Sequence, residues 1–189
     1  MKKHINYLKK LGACFEAVGW AEQFDSPQEA WDSCERGDWM LWLLGKQSGK
    51  PGTKSRKKLV LTACKCARLS LKYVSKGEKR PLKAIQIAEK YAKGIEGITL
   101  QDVMNAAAYA AAAYAAAYAT YAAAYAAYAA DDDAAAAYAA AAADADDAAA
   151  YAADAAYVAY VAYDDDAKQK ILKKCADIVR KDYPKIRMI

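Results

Sequence analysis

The chain has 189 residues, enough to bury one substantial core, and carries a net charge of +5. It holds one histidine, five cysteines and 15 tyrosines, so serine–histidine and cysteine–histidine nucleophiles and histidine-rich zinc sites are poor candidates. Charge is segregated: residues 1–98 hold 20 Lys/Arg against 10 Asp/Glu, residues 99–166 hold 11 Asp and no base, and residues 167–189 hold 8 basic against 2 acidic residues. Basic ends folded alongside an acidic middle is the simplest reading, and a basic face for an anionic partner is the other.

In chain order, residues 5–20 predict a first helix with Leu8, Leu11, Phe15 and Val18 inward, and His4 lies in a frayed start. In SPQEAWDSCERGDWMLWLLG, Ser26 suits an N-cap, Pro27 the first helical position and Glu29 the partner position of a capping box. Gly37 then breaks that helix and Asp38 caps the next, from which Trp39, Trp42 and Leu43 project; core packing or an aromatic ligand wall would explain the tryptophans. GKQSGKPGTKSRKK is a basic glycine-rich loop but not a P-loop. Gly45 to Gly49 is one residue short, Pro51 stands where Ser or Thr is needed, and no strand precedes it.

A helix over about 57–74 is two-sided. Lys57, Lys58, Lys65, Arg68 and Lys72 occupy roughly 100° of arc, opposite Val60, Cys64, Ala67, Leu71 and Val74. The basic stripe is a solvated face, a partner for the acidic middle, or an anion site. Cys64 and Cys66 diverge on a helix and read as core thiols rather than a metal pair. Arg80 and Pro81 open a further helix stopped by Gly94, and Thr99 with Asp102 forms a capping box for the next.

From Asn105 to Tyr163 the chain is almost wholly alanine, tyrosine and aspartate, without Gly or Pro, which predicts long helices. Tyr114, Tyr118, Tyr121, Tyr125 and Tyr128 share a stripe about 80° wide and Tyr109 falls off it. Asp147, Tyr151, Asp154 and Val158 share another narrow face. The DDD runs at 131–133 and 164–166 suit helix N-termini. The last helix, AKQKILKKCADIVRKDYP, turns Ile171, Leu172, Cys175, Ile178 and Val179 inward and ends before Pro184. No segment reads as a strand. The expected fold is therefore all-α: one domain over residues 1–189, a multi-helix bundle of basic N-terminal helices (1–98), an Ala/Tyr/Asp-rich core (99–166) and a basic C-terminal helix (167–184).

ACFEAVGW, SPQEAWDSCERGDWMLWLL, RKKLVLTACKCARLSLKYV, RPLKAIQIAEKYAKG, the Ala/Tyr/Asp block and CADIVRKDYP, in that order, together resemble the Imm5-like immunity proteins of bacteria and phages over about residues 10–184. The resemblance implies an all-helical fold and a role in immunity or counter-immunity, neutralising a toxin or a defence component by binding. It implies shared positions at Arg36, Asp38, Trp39, Arg68 and Cys175 to Arg180, and carries over no catalytic residue.

The functional expectation is a non-enzymatic, homo-oligomeric binding protein without metal or cofactor, partnered by a protein toxin or effector. The alternative is a sponge for a small nucleotide signal, with Arg68, Lys65 and the basic loop on the phosphates, a Tyr or Trp stacked on a base, and Lys72, Lys58, Arg36, Asp38 and Trp39 as further candidate contacts. DNA is not an expected partner, and neither is a membrane, since the charge-free run from Val103 to Ala130 is alanine and tyrosine rather than Leu, Ile or Phe. An odd number of cysteines with no secretory leader points to reduced thiols in the cytoplasm of a bacterial host, possibly phage-encoded.

Overall fold

The computed structural model describes residues 2–50, 52–73, 76–107, 109 and 165–187. It is all-α, and no strand occurs among the described residues. The helices are α1 (Lys3–Lys10), α2 (Phe15–Ala21), α3 (Pro27–Ser33), α4 (Gly37–Gln47), α5 (Lys54–Arg68), a short 3₁₀ turn (Leu71–Tyr73), α6 (Arg80–Ala92), α7 (100–107) and α8 (Asp165–Asp182). The tyrosine stripe Tyr114–Tyr128, the aspartate run at 131–133, the second face through Asp147 and Val158, and Val74 lie outside the described residues. The chain divides into two compact units: Met1–Gln47 with Asp166–Ile189, and Ser48–Asp165.

In the first unit, the single helix expected over residues 5–20 is two helices. Gly12 turns the chain with φ 80°, a left-handed conformation that glycine adopts without steric cost. The break carries Phe15 out of register with Leu8 and Val18. Leu8 and Val18 are buried, whereas Phe15 is 91% exposed. His4, expected in a frayed start, is instead buried on α1 beside Ile5 and Leu8.

The α3 start follows its sequence signals. Ser26 Oγ accepts the Glu29 N–H at 3.1 Å, and the Glu29 carboxylate reaches back to the N–H of Asp25 at 3.2 Å. Helix α4 departs from expectation at its first residue. It begins at Gly37, so Asp38 stands inside its first turn rather than at the cap.

The reason for glycine at 37 is tertiary. A Cβ there would meet Cys175 Cβ, lying 2.7 Å from the Ala176 backbone nitrogen and 2.9 Å from the Cys175 carbonyl carbon. Only a glycine lets the start of α4 approach the α8 backbone this closely. Around this crossing α8 buries Ile171, Leu172, Cys175, Ala176 and Val179, while Ile178 is half-buried. Polar contacts tie the chain end to α3: Trp31 Nε1 donates to the Tyr183 carbonyl at 2.9 Å, and Gln28 Nε2 donates to the Pro184 carbonyl at 3.0 Å.

The second unit centres on α5 and α6. Val60, Cys64 and Ala67 pack against Ile85, Ala88 and Ala92, with Val103 from α7. Alanine and cysteine dominate this seam, so the two backbones approach closely, and Ile85 is wholly buried. Leu59, Thr62, Ala63 and Cys66 are buried as well, covering α5 over roughly 200° of its circumference. The apolar face is therefore wider than its sequence pattern predicts, while Lys58, Lys65, Arg68 and Lys72 remain exposed. Thr53 Oγ1 caps α5 by accepting the Arg56 N–H. Thr99 and Asp102 form the reciprocal box at α7: Asp102 Oδ2 accepts the Thr99 N–H at 2.8 Å and Thr99 Oγ1 accepts the Asp102 N–H at 3.2 Å. Gly94, with φ 72°, follows the end of α6.

Gly37→Ala should destabilise the protein by about 1–3 kcal/mol, the usual cost of forcing a group into a closely packed site. Phe15→Ala should stay within about 0.5 kcal/mol of the parent, as exposed substitutions do. Thermal melting of the two variants checks this, and a Gly37→Ala protein that melts with the parent would remove the crossing as a constraint.

Candidate functional site

The seven residues singled out from the sequence fall into two groups, one in each unit. Arg36, Asp38 and Trp39 belong to the first; Lys58, Lys65, Arg68 and Lys72 belong to the second.

In the first group, the α3–α4 connection holds Arg36 where its guanidinium meets two chemistries at once. Nε and Nη2 donate to the two Asp38 carboxylate oxygens at 2.9 and 2.6 Å. The same guanidinium lies over the Trp39 ring, 4.2 Å from its centroid. Trp39 continues to Trp20 at 6.1 Å between centroids, and Trp20 to Phe24 at 4.7 Å, both tilted. All four side chains are half-buried. The result is a short ladder of planar groups from two separate segments: the α3–α4 connection with α4, and helix α2 with the residues just after it. Tilted aromatic pairs and an arginine over tryptophan are each mutually attractive.

Sequence reasoning found Arg36, Asp38 and Trp39 but missed Trp20 and Phe24. Their i, i+4 spacing was the available signal, obscured because α2 is short and Phe24 lies beyond its end.

Behind this ladder, Cys34 donates its thiol to the Arg36 carbonyl at 3.6 Å, and its own carbonyl accepts from Arg180 Nη1. Arg180 Nη2 also pairs with Asp177 at 2.6 Å, and Lys173 pairs with Glu35. Part of the 175–180 segment that the motif order singled out thus holds the connection carrying Arg36.

In the second group, Arg68 makes the forked contact expected of a guanidinium, but with a carboxylate of its own chain. Nε and Nη2 donate to Glu89 Oε1 and Oε2 at 2.7 and 2.8 Å. Glu89 is the only acid on α6. Arg68 holds its carboxyl below the ordinary glutamate range, and Glu89 in turn raises the Arg68 value. Lys57 stands over Tyr91, 5.3 Å from the ring centroid, and Lys58, Lys65 and Lys72 each have an interaction partner. At the start of α6, Arg80 pairs with Glu78, Nε to Oε1 at 2.9 Å. Hydrogen bonds from the Arg80 side chain and backbone lower Glu78 to about 2. Arg80 also lies over the exposed Tyr109 ring at 5.4 Å.

The thiols are placed for packing. Cys34, Cys64, Cys66 and Cys175 are buried and only Cys14 is exposed. Burial pushes the Cys64 thiol up to about 12 and raises Cys34 as well, the reverse of what a reactive thiolate needs. Among the described residues no group of three or more His, Cys, Asp or Glu side chains is placed to hold a metal ion. No described helix is long and apolar enough to cross a membrane. No family model, curated protein or solved structure matches the chain.

Two measurements test this geometry. A thiol reagent applied to the native protein should modify Cys14 rapidly and the other four only on unfolding; fast reaction of two or more thiols would contradict the burial. Glu89 has a lowered folded value, so its contribution is complete above the unfolded carboxylate's value of about 4.3 and is lost as pH falls through the folded value. Glu89→Gln should therefore melt below the parent at pH 7, by no more than about 1 kcal/mol for so exposed a pair, and converge with it in acid. A constant difference from pH 7 to pH 3 would assign the loss to something other than charge.

Proposed function

We propose that this chain is a non-catalytic binding protein of the immunity or counter-immunity type, acting in the cytoplasm by stoichiometric capture of a protein toxin or effector. The observation that carries this reading is the Arg36–Trp39–Trp20–Phe24 ladder. Tryptophan, arginine and other large planar groups, half-buried and held by packing, are the residues on which protein interfaces concentrate their energy. Fixing them in advance reduces the ordering cost of association. The resemblance of the motif order to Imm5-like proteins points to the same class. The nucleotide-sponge reading is weaker because the fork of Arg68, its best phosphate contact, is already closed on Glu89. A phosphate would have to displace that carboxylate, or bind beside it against its charge.

The test uses the purified full chain. The partner recovered by affinity capture from the host should be lost with Trp39→Ala while the helical circular-dichroism spectrum stays unchanged. Mass spectrometry of material released by denaturation should show no stoichiometric nucleotide. A nucleotide released at about one per chain, and lost in Arg68→Ala, would replace this reading with the sponge.

A further inference from the structure

The segment after α8 is gripped by its backbone. Residues 183–187 form neither helix nor turn, yet four side-chain hydrogen bonds from α3 and α4 end on their main chain. Trp31 Nε1 donates to the Tyr183 carbonyl at 2.9 Å. The Gln28 amide makes two of these contacts: Nε2 donates to the Pro184 carbonyl at 3.0 Å, and Oε1 accepts the Ile186 N–H at 3.2 Å. Gln47 Nε2 donates to the Arg187 carbonyl at 2.8 Å.

A carbonyl and the N–H two residues later lie on the same edge of an extended chain, and one residue of a neighbouring parallel strand bonds to both. The primary amide of Gln28 carries the same donor and acceptor as a peptide group, so it stands in for that strand residue. Asp32 Oδ1 accepts a further bond from Nε2 at 2.8 Å, which fixes the orientation of the amide. Gln47 Nε2 likewise donates to the Tyr7 hydroxyl at 3.3 Å. Pro184 has no N–H to satisfy and holds Tyr183 toward extended conformations. Pro184, Lys185 and Arg187 are exposed, whereas Tyr183 and Ile186 are half-buried. The surface therefore reads extended main chain and an aliphatic side chain two residues after a proline, and it does not enclose the charged side chains.

We propose that Gln28, Trp31 and Gln47 form a peptide-docking surface for an extended segment of a protein partner, one with a proline followed two residues later by an aliphatic side chain. Residues 183–187 occupy that surface as an internal competitor, and their seating shows which chemistry it accepts. Main-chain hydrogen bonds supply the attachment and the half-buried side chains the selectivity, as when an extended peptide adds to a strand edge. The bonds from Gln28 and Gln47 to the Pro184 and Arg187 carbonyls are solvent-exposed. Contacts of that kind open locally at low cost, so exchange does not require α8 to unfold. This inference rests on the protein-binding reading above and specifies the segment of the partner that is bound.

The test uses the full chain and a fluorescent peptide, DYPKIR with blocked ends, read by anisotropy. Ile186→Asp puts a charge where the chain's own segment is half-buried and loosens it; Ile186→Ala replaces it if circular dichroism shows lost helix. The peptide should bind the loosened variant about tenfold or more tighter than the parent, whose tethered segment competes at an effective concentration on the order of millimolar. Replacing the peptide's Lys and Arg by Ala should change binding less than about twofold, as for other exposed charges. Methylating the peptide's Ile nitrogen removes the N–H that Gln28 accepts and should weaken binding by about tenfold, as should adding Gln28→Ala to the protein. No saturable binding to the folded, loosened variant, or equal binding of the methylated peptide, would overturn the proposal. A concentration-dependent dimer of the parent that Gln28→Ala abolishes would assign the surface to the same segment of a second copy and overturn it as well. If the partner captured through Trp39 is fully retained by Gln28→Ala, the protein-binding reading stands and this surface falls. If the peptide binds through Gln28 but no Trp39-dependent partner exists, the surface stands and the underlying reading falls by its own measurement.

Discussion

Glycine at position 37 is the constraint on which the first unit depends. The start of α4 passes so close to the α8 backbone that a methyl group would overlap Cys175 and Ala176. This approach joins residues far apart in sequence, and the neighbouring contacts exploit it. Trp31 and Gln28 hydrogen-bond to carbonyls just after α8, and Arg180 holds the Cys34 carbonyl. The Cys34–Arg36 connection, fixed in this way, presents the guanidinium that stacks on Trp39. A packing requirement at one residue therefore sets the position of the best candidate interaction surface.

Charge is used differently in the two units, and in neither is it a main source of stability. Arg68–Glu89, Arg80–Glu78 and Arg36–Asp38 are forked or close pairs, but each retains appreciable solvent exposure, and such pairs contribute at most about 1 kcal/mol. A fully buried aliphatic side chain such as Ile85 contributes about 1.5–3 kcal/mol. The pairs instead orient groups: Glu89 fixes the Arg68 fork, and Asp38 holds Arg36 flat over an indole.

The cysteines and the histidine show how composition can mislead about chemistry. Five thiols and an imidazole in one chain invite a search for a nucleophile or a metal. Four of the five thiols are buried and serve packing, and His4 is buried on α1 with its Nε2 lacking a hydrogen-bond partner among the described residues. The small size of cysteine suits the α5–α6 seam, where Cys64 lies among alanines and Ile85. Among the described residues, the planar groups of Arg36, Trp39, Trp20 and Phe24 are only half-buried.

Local rules were legible in the sequence because they act over three or four residues. The caps at Ser26 and Thr99, the stop at Gly94, the inward face of α8 and the apolar edge of α5 through Val60, Cys64 and Ala67 follow from hydrogen-bonding capacity and helical periodicity alone. Part of the candidate site was legible in the same way, since Arg36, Asp38 and Trp39 are consecutive or nearly so. Tertiary structure decided the rest. Gly12 takes a left-handed turn that splits one apparent amphipathic run and leaves Phe15 outside. Gly37 serves a close crossing rather than a chain break, so Asp38 pairs with Arg36 instead of capping. Glu89, 21 residues from Arg68, captures a fork that periodicity had left pointing at solvent. Trp20 and Phe24 join the ladder only because α2 packs beside the start of α4. Periodicity reports which side of a helix is apolar; it carries no information about which distant group will meet the other side, and that meeting distinguishes an ion pair from a ligand site.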